Sequence, residues 1–154
     1  MLGGKANKGF TLIELIIVTM IISILAAALI PFSLKAVNKS RLESAAEMIA
    51  ADIRYGGSKA LSEQAELKIQ FVPTGNKYLT FFDPENFNKC KTVKLPPGIT
   101  LSSAMFSNEP FVRFSVKGTV KQGGTVSLHD PEKNWLFVIV TPVTGRAKIA
   151  KTIN

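Results

Sequence analysis

Gly9-Phe10-Thr11-Leu12-Ile13-Glu14, continued by LIELIIVTMIISILAAALI over residues 12–30 up to Pro31, decides how the rest of this chain is read. As a helix, residues 10–30 span roughly 31 Å at ~1.5 Å per residue, matching a bilayer core of about 30 Å. Glu14, Thr19 and Ser23 are the polar interruptions. Three readings are open for such a segment. A cleaved secretory signal has an apolar stretch of only about 7–15 residues ending in small residues; Ala26-Ala27-Ala28 mimics such a site, but the run is longer. A plain membrane anchor is the second reading. The third is a segment that crosses the membrane and later packs against copies of itself. Glu14 separates them, because a carboxylate in hydrocarbon costs ~2.5–3.5 kcal/mol and calls for a partner. A positive α-amino group only a few residues upstream would serve.

The same residues resemble the class III leader cleavage motif of type IV pilins and type II secretion pseudopilins. The resemblance implies that prepilin peptidase cuts between Gly9 and Phe10 and methylates the new N-terminus on Phe10, leaving Glu14 as the fifth residue of the mature chain. Residues 1–9, with Lys5 and Lys8, are then a leader. Pro31 matches the proline that bends the family's stem helix. Also implied is pairing of the Glu14 carboxylate with the Phe10 ammonium of a neighbouring pilin or pseudopilin. In that setting the chain is a single-pass protein of the bacterial inner membrane with its head outside the cytoplasm. An inner-membrane assembly platform would add it to a periplasmic or surface filament. Charge counting does not fix the orientation, since Lys35, Lys39 and Arg41 follow the run as Lys5 and Lys8 precede it.

After Pro31 the pattern turns amphipathic. Leu42, Ala45, Ala46, Ile49, Ile53, Ala60 and Leu61 recur at three- and four-residue steps, with Glu43, Glu47, Asp52 and Lys59 between them. Residues 31–65 are therefore expected to continue the helix, giving a stem of roughly 80 Å from residue 10 at ~1.5 Å per residue. Ser40-Arg41-Leu42-Glu43 fits a capping box that would start a second helix; a continuous stem is the competing reading, and the resemblance favours it. Gly56-Gly57 weakens the helix, which close backbone packing or a bend would explain.

Residues 66–154 read as a β-sheet head. Leu67-Lys68-Ile69-Gln70-Phe71 alternates, Pro73-Thr74-Gly75-Asn76 turns, and residues 77–82 return. Leu95-Pro96-Pro97-Gly98 breaks the chain before a strand at 99–102. Further strands are expected at 111–116, 125–128, 135–141 and 146–149. The fold class is thus α+β, pilin-like: a long N-terminal stem helix, membrane-spanning in its first half, packed on an antiparallel β-sheet. The stretches Arg41-Leu42 onward, Phe114-Ser115-Val116-Lys117-Gly118 and Val138-Ile139-Val140-Thr141-Pro142-Val143-Thr144-Gly145-Arg146 look like the GspH/FimT minor pseudopilins. That resemblance implies a structural subunit of a type II secretion pseudopilus or type IV pilus that helps filament assembly and protein secretion. Residues 82–108 match nothing in it.

Composition narrows the chemistry. The chain has 154 residues, 46% of them hydrophobic, and a net charge of +8 that falls to +6 without Lys5 and Lys8. The surplus suits anionic partners or simple solubility. One cysteine, Cys90, and one histidine, His129, give neither an intrachain disulfide nor a metal-ligand set, and no cofactor motif is present. Cys90 between two lysines reads as incidental, His129 as a solvated turn residue, and Trp135 as core. With no acid, base and nucleophile together, an enzyme is not expected. The second functional class is a DNA-binding minor pilin. In some FimT-like minor pilins of natural transformation, a Gly-Arg-x-Arg end is tied to DNA binding. Here Gly145-Arg146-Ala147-Lys148 puts Arg146 and Lys148 at strand spacing on one face. Lysine in the second place forfeits bidentate phosphate contact.

Overall fold

The computed structural model describes residues 10–81, 90–142 and 144–152, and their side chains except those of 28–33 and 81. Helix α1 is Leu12–Glu63. Its residues fall into two compact units, one up to Ala36 and one from Val37 onward, each described by itself. No second helix starts at Ser40, so the capping-box sequence there lies inside a continuous helix. The bend expected at Pro31 falls on a side chain outside those described. α1 ends where Gln64 takes a left-handed conformation (φ 50°) and the Ala65 N–H donates to the Ala60 carbonyl at 3.2 Å, a C-terminal stop usually made by glycine.

In the second unit, Leu42, Ala45, Ala46, Ile49, Ala50, Ile53 and Ala60 form one buried stripe of α1. Leu61, expected on that stripe, is exposed instead. The stripe crosses Gly56 and Gly57, and the structure shows why glycines stand there. A Cβ on Gly56 would lie 2.8 Å from the Phe114 ring, and one on Gly57 would lie 2.9 Å from the Gly118 carbonyl oxygen. Close backbone approach, rather than a bend, accounts for the pair.

Eight strands are assigned among the described residues: β1 Leu67–Val72, β2 Lys77–Phe81, β3 Lys91–Lys94, β4 Thr100–Phe106, β5 Phe111–Phe114, β6 Gly124–His129, β7 Trp135–Val140 and β8 Ala147–Ala150. They form two four-stranded antiparallel sheets, in the orders β3-β2-β1-β5 and β4-β6-β7-β8. The single sheet expected from the alternation is therefore divided. Alternation fixes which face of a strand is buried, but not which strand it pairs with. β5 is shorter than expected because Ser115 to Gly118 turn: the Gly118 N–H donates to the Ser115 carbonyl at 2.8 Å, and Gly118 has φ 74°. In β4 the register shifts between Leu101 and Ser103, and burial changes parity from Leu101 to Ala104 and Phe106, as a bulge requires.

Phe71 joins the two sheets, its ring centroid 5.7 Å from both Tyr78 and Phe106. Asn76 joins them again, its Oδ1 accepting from the Leu101 N–H at 3.0 Å while its carbonyl accepts from the Leu95 N–H at 3.0 Å. A polar contact ties α1 to this core: the Tyr78 hydroxyl donates to Asp52 Oδ2 at 2.5 Å. Burial first, and then Asp52 beside it, push the Tyr78 phenol above its ordinary range.

Candidate functional site

The helix start carries the first part of the site. Thr11 precedes Leu12, and its Oγ1 accepts from the Glu14 N–H at 3.3 Å while its carbonyl accepts from the Leu15 N–H at 3.2 Å. Thr11-Leu12-Ile13-Glu14 is thus the sequence of a capping box used as a cap, with the Glu14 carboxylate in the positive first turn. Sequence reading had given these residues to cleavage and pairing and missed the cap. Phe10 is 84% exposed, and every described side chain from Leu12 to Ala27, Glu14 included, is exposed. Thr19 Oγ1 donates to the Ile16 carbonyl at 2.9 Å and Ser23 Oγ to the Thr19 carbonyl at 2.7 Å. Both hydroxyl donors are satisfied inside the helix, which lowers their cost in an apolar setting. Gly9 lies outside the described residues. Among the described residues no helix is long and apolar enough to cross a membrane. The described side chains of the apolar run stop at Ala27, short of the ~20 residues that a span takes.

A second place gathers cations. The strand expected at 146–149 begins at Ala147, so Lys148 is on β8 and Arg146 is not. Lys148 stands opposite Ile139. Arg146 leaves a turn in which the Thr141 N–H donates to the Arg146 carbonyl at 3.0 Å and Gly145 takes φ 61°. It lines a cleft of about 350 Å³ together with Arg54 and Ser58 of α1, Lys117 of the turn after β5, and Thr144. Ile53, Leu61, Phe114 and Val120 supply its apolar lining. The structure therefore groups Arg146 with Arg54 and Lys117, and Lys148 is not among the cleft residues. No spacing rule links positions 54, 117 and 146, and sequence reading missed the cluster.

The other singled-out residues also move. Trp135 is 39% exposed rather than core, because β7 buries Leu136, Val138 and Val140 on its opposite face. His129 is not in a turn: it ends β6, half-buried, with its ring 4.9 Å from Trp135 and its Nδ1–H donating to the Asp130 carbonyl at 2.9 Å. The turn begins at Asp130, whose carboxylate accepts from the Asn134 backbone N–H at 2.9 Å and side-chain amide at 2.7 Å. Burial raises the Asp130 carboxyl, but the donations from Asn134 and from the Glu132 backbone outweigh it and hold the group below the usual carboxylate range. Cys90 is exposed and free. Among the described residues no three His, Cys, Asp or Glu side chains gather as a metal site would need.

With this geometry in view, comparison with known proteins adds two findings. Residues 4–30 match the family described as the prokaryotic N-terminal methylation motif. The fold is similar to the crystal structure of the type IV minor pilin FimU from Pseudomonas aeruginosa (strain PAO1), with a TM-score of 0.53 and 17% identity over 73% of this chain and 88% of that one. No curated protein sequence matches the chain. The chain thus carries a prokaryotic N-terminal methylation motif on an α+β fold similar to that of a type IV minor pilin.

Proposed function

We propose that this pilin-like chain is a minor pseudopilin, a structural subunit of a type II secretion pseudopilus or a type IV pilus. Residues 1–9 are its leader, removed by prepilin peptidase between Gly9 and Phe10 with methylation of Phe10. Residues 10–30 anchor the precursor in the inner membrane and then pack against the stems of neighbouring subunits in the filament. The observation that carries this reading is the exposure of every described side chain from Leu12 to Ala27, within the methylation motif matched over residues 4–30. An apolar helix left open on all sides in one chain has to be covered by lipid or by other copies. Glu14, in the first helical turn, then faces a choice set by electrostatics. Left alone among apolar helices it is costly; against the Phe10 ammonium of a neighbour it is neutralised, so only one axial register is comfortable.

Intact-mass and N-terminal peptide mass spectrometry of the chain from membranes is the test. Methylated Phe10 at the N-terminus is the expected result. Retention of Met1, or a cut after Ala28, would overturn the assignment. Glu14→Ala sharpens it: the variant is expected to be processed normally but to be depleted from sheared filaments by about tenfold or more, the loss of a desolvated charge pair. Wild-type incorporation would remove Glu14 from the assembly mechanism.

A further inference from the structure

The cleft lined by Arg54, Lys117 and Arg146 gathers three exposed cations beside an apolar lining. Lys59 pairs with Glu63 at 3.0 Å, Arg113 with Glu109 at 3.6 Å, and Lys121 with Glu66. Among the described residues neither Arg54, Lys117 nor Arg146 has an ion pair. Yet three elements distant in sequence, α1, the turn after β5 and the turn before β8, bring them to one concavity. Like charges collected around a partly apolar hollow repel one another unless an anion joins them. The fold holds them there firmly. Gly57 and Gly118 pack backbone to backbone, which locks the Lys117 turn against α1, and the left-handed Gly145 sets the path of the chain into Arg146.

We propose that this cleft receives an acidic peptide segment of a neighbouring subunit, its carboxylates on the three cations and an adjoining apolar side chain against Ile53, Leu61, Phe114 and Val120. The proposal rests on the reading of the chain as a filament subunit. Two observations favour a peptide over a nucleic acid. First, the site is a single hollow of about 350 Å³, whereas duplex binding spreads cations along a track of successive phosphates. Lys148, the nearest cation in sequence to Arg146, is not among the residues of the hollow. Second, its apolar lining offers nothing to a sugar-phosphate backbone but fits the side chain beside an Asp or Glu. The two arginines match carboxylates in the planar, bidentate manner that lysine cannot. Ser58, whose Oγ donates to the Arg54 carbonyl, and Thr144 are both exposed at the rim.

The experiment uses the full chain in detergent and three probes: a fluorescent peptide of alternating Glu and Leu, a labelled DNA duplex of about 20 bp, and inorganic phosphate as competitor. Peptide binding is expected to weaken by about tenfold or more in each of Arg54→Glu, Lys117→Glu and Arg146→Glu. Lys148→Glu, outside the cleft, is expected to change it by less than about threefold. Equal loss in Lys148→Glu would reduce the effect to overall charge, and unchanged affinity in the three variants would dispose of the cleft. Tighter binding of the duplex than of the peptide, with the same dependence on the three residues, would make the site a nucleic-acid site and overturn the proposal. In cells, a photo-crosslinking residue at position 144 is expected to capture a subunit peptide with Asp or Glu beside an apolar residue. Changing that acid to lysine should restore capture by Arg146→Glu; no restoration would also overturn the proposal. The N-terminus of the captured material is read at the same time. An unprocessed Met1 end would break the filament reading while leaving the peptide-binding result standing, so the two failures are distinguishable.

Discussion

The two stretches of α1 invert each other. Over residues 12–27, where the sequence is almost wholly apolar, every described side chain is exposed; over residues 42–60, where polar and apolar residues alternate by turns of helix, Leu42, Ala45, Ala46, Ile49, Ala50, Ile53 and Ala60 are buried to 2% or less. Hydrophobicity by itself therefore does not say what is inside this molecule. An amphipathic stripe names a partner within the chain, because one face is already committed to water. A helix that is apolar all round names a partner outside it. The small residues of the stripe, Ala45, Ala46, Ala50, Gly56, Gly57 and Ala60, let the head approach closely, whereas the first stretch is built from Leu, Ile, Val and Met with no small-residue seam until Ala26.

That contrast can be broken in measured steps by chemical unfolding of the full chain in detergent. The largest effect is expected from Phe114→Ala, which empties a fully buried ring site beside Gly56 and should cost about 3–5 kcal/mol. Ile21→Ala, an equally apolar truncation at a residue 52% exposed, should leave head stability within about 0.5 kcal/mol. Similar losses for both would erase the distinction. Next comes Gly118→Ala. Its φ of 74° and a new Cβ 2.7 Å from the Gly57 carbonyl oxygen should destabilise by about 2–3 kcal/mol, and a neutral result would mean that the approach of turn and helix is not tight. Tyr78→Phe comes third, at about 2 kcal/mol, because it leaves the Asp52 carboxylate without its partly buried donor. A double-mutant cycle with Asp52→Asn should show coupling between the two; additive losses would rule the contact out as a tie between helix and sheet.

The smallest effect sharpens rather than breaks the comparison, since it lies far from α1 in sequence and depends on pH. Asp130 has a folded-state pKa below the ordinary carboxylate value. Its contribution is then present above about pH 4, the unfolded value, and is lost as pH falls through the folded one. Asp130→Asn should therefore be about 1 kcal/mol less stable than the wild type near pH 7, with the gap narrowing towards pH 3. A gap of constant size across that range would show that the Asn134 contacts do not depend on the charge of Asp130.

Local chemistry made much of this protein legible. The motif at Gly9 to Glu14 was read by its resemblance to a known leader and the apolar run by its length, whereas the helical stripe from Leu42 to Ala60 and most strand positions follow from periodicities of 3.6 and 2, which any stretch of chain shows by itself. Even the turn at Pro73-Thr74-Gly75-Asn76 was readable, since proline and a left-handed Asn76 announce it. What depended on partners distant in sequence was not readable. Which strands share a sheet, that Trp135 faces out and His129 packs on it, that Gly56 and Gly57 admit a ring and a carbonyl, and that Arg54, Lys117 and Arg146 meet are all settled by tertiary packing. The physical reason is the range of the signals: backbone propensity and amphipathic period act over a few residues, whereas a cleft is made by elements that approach only once the core has closed.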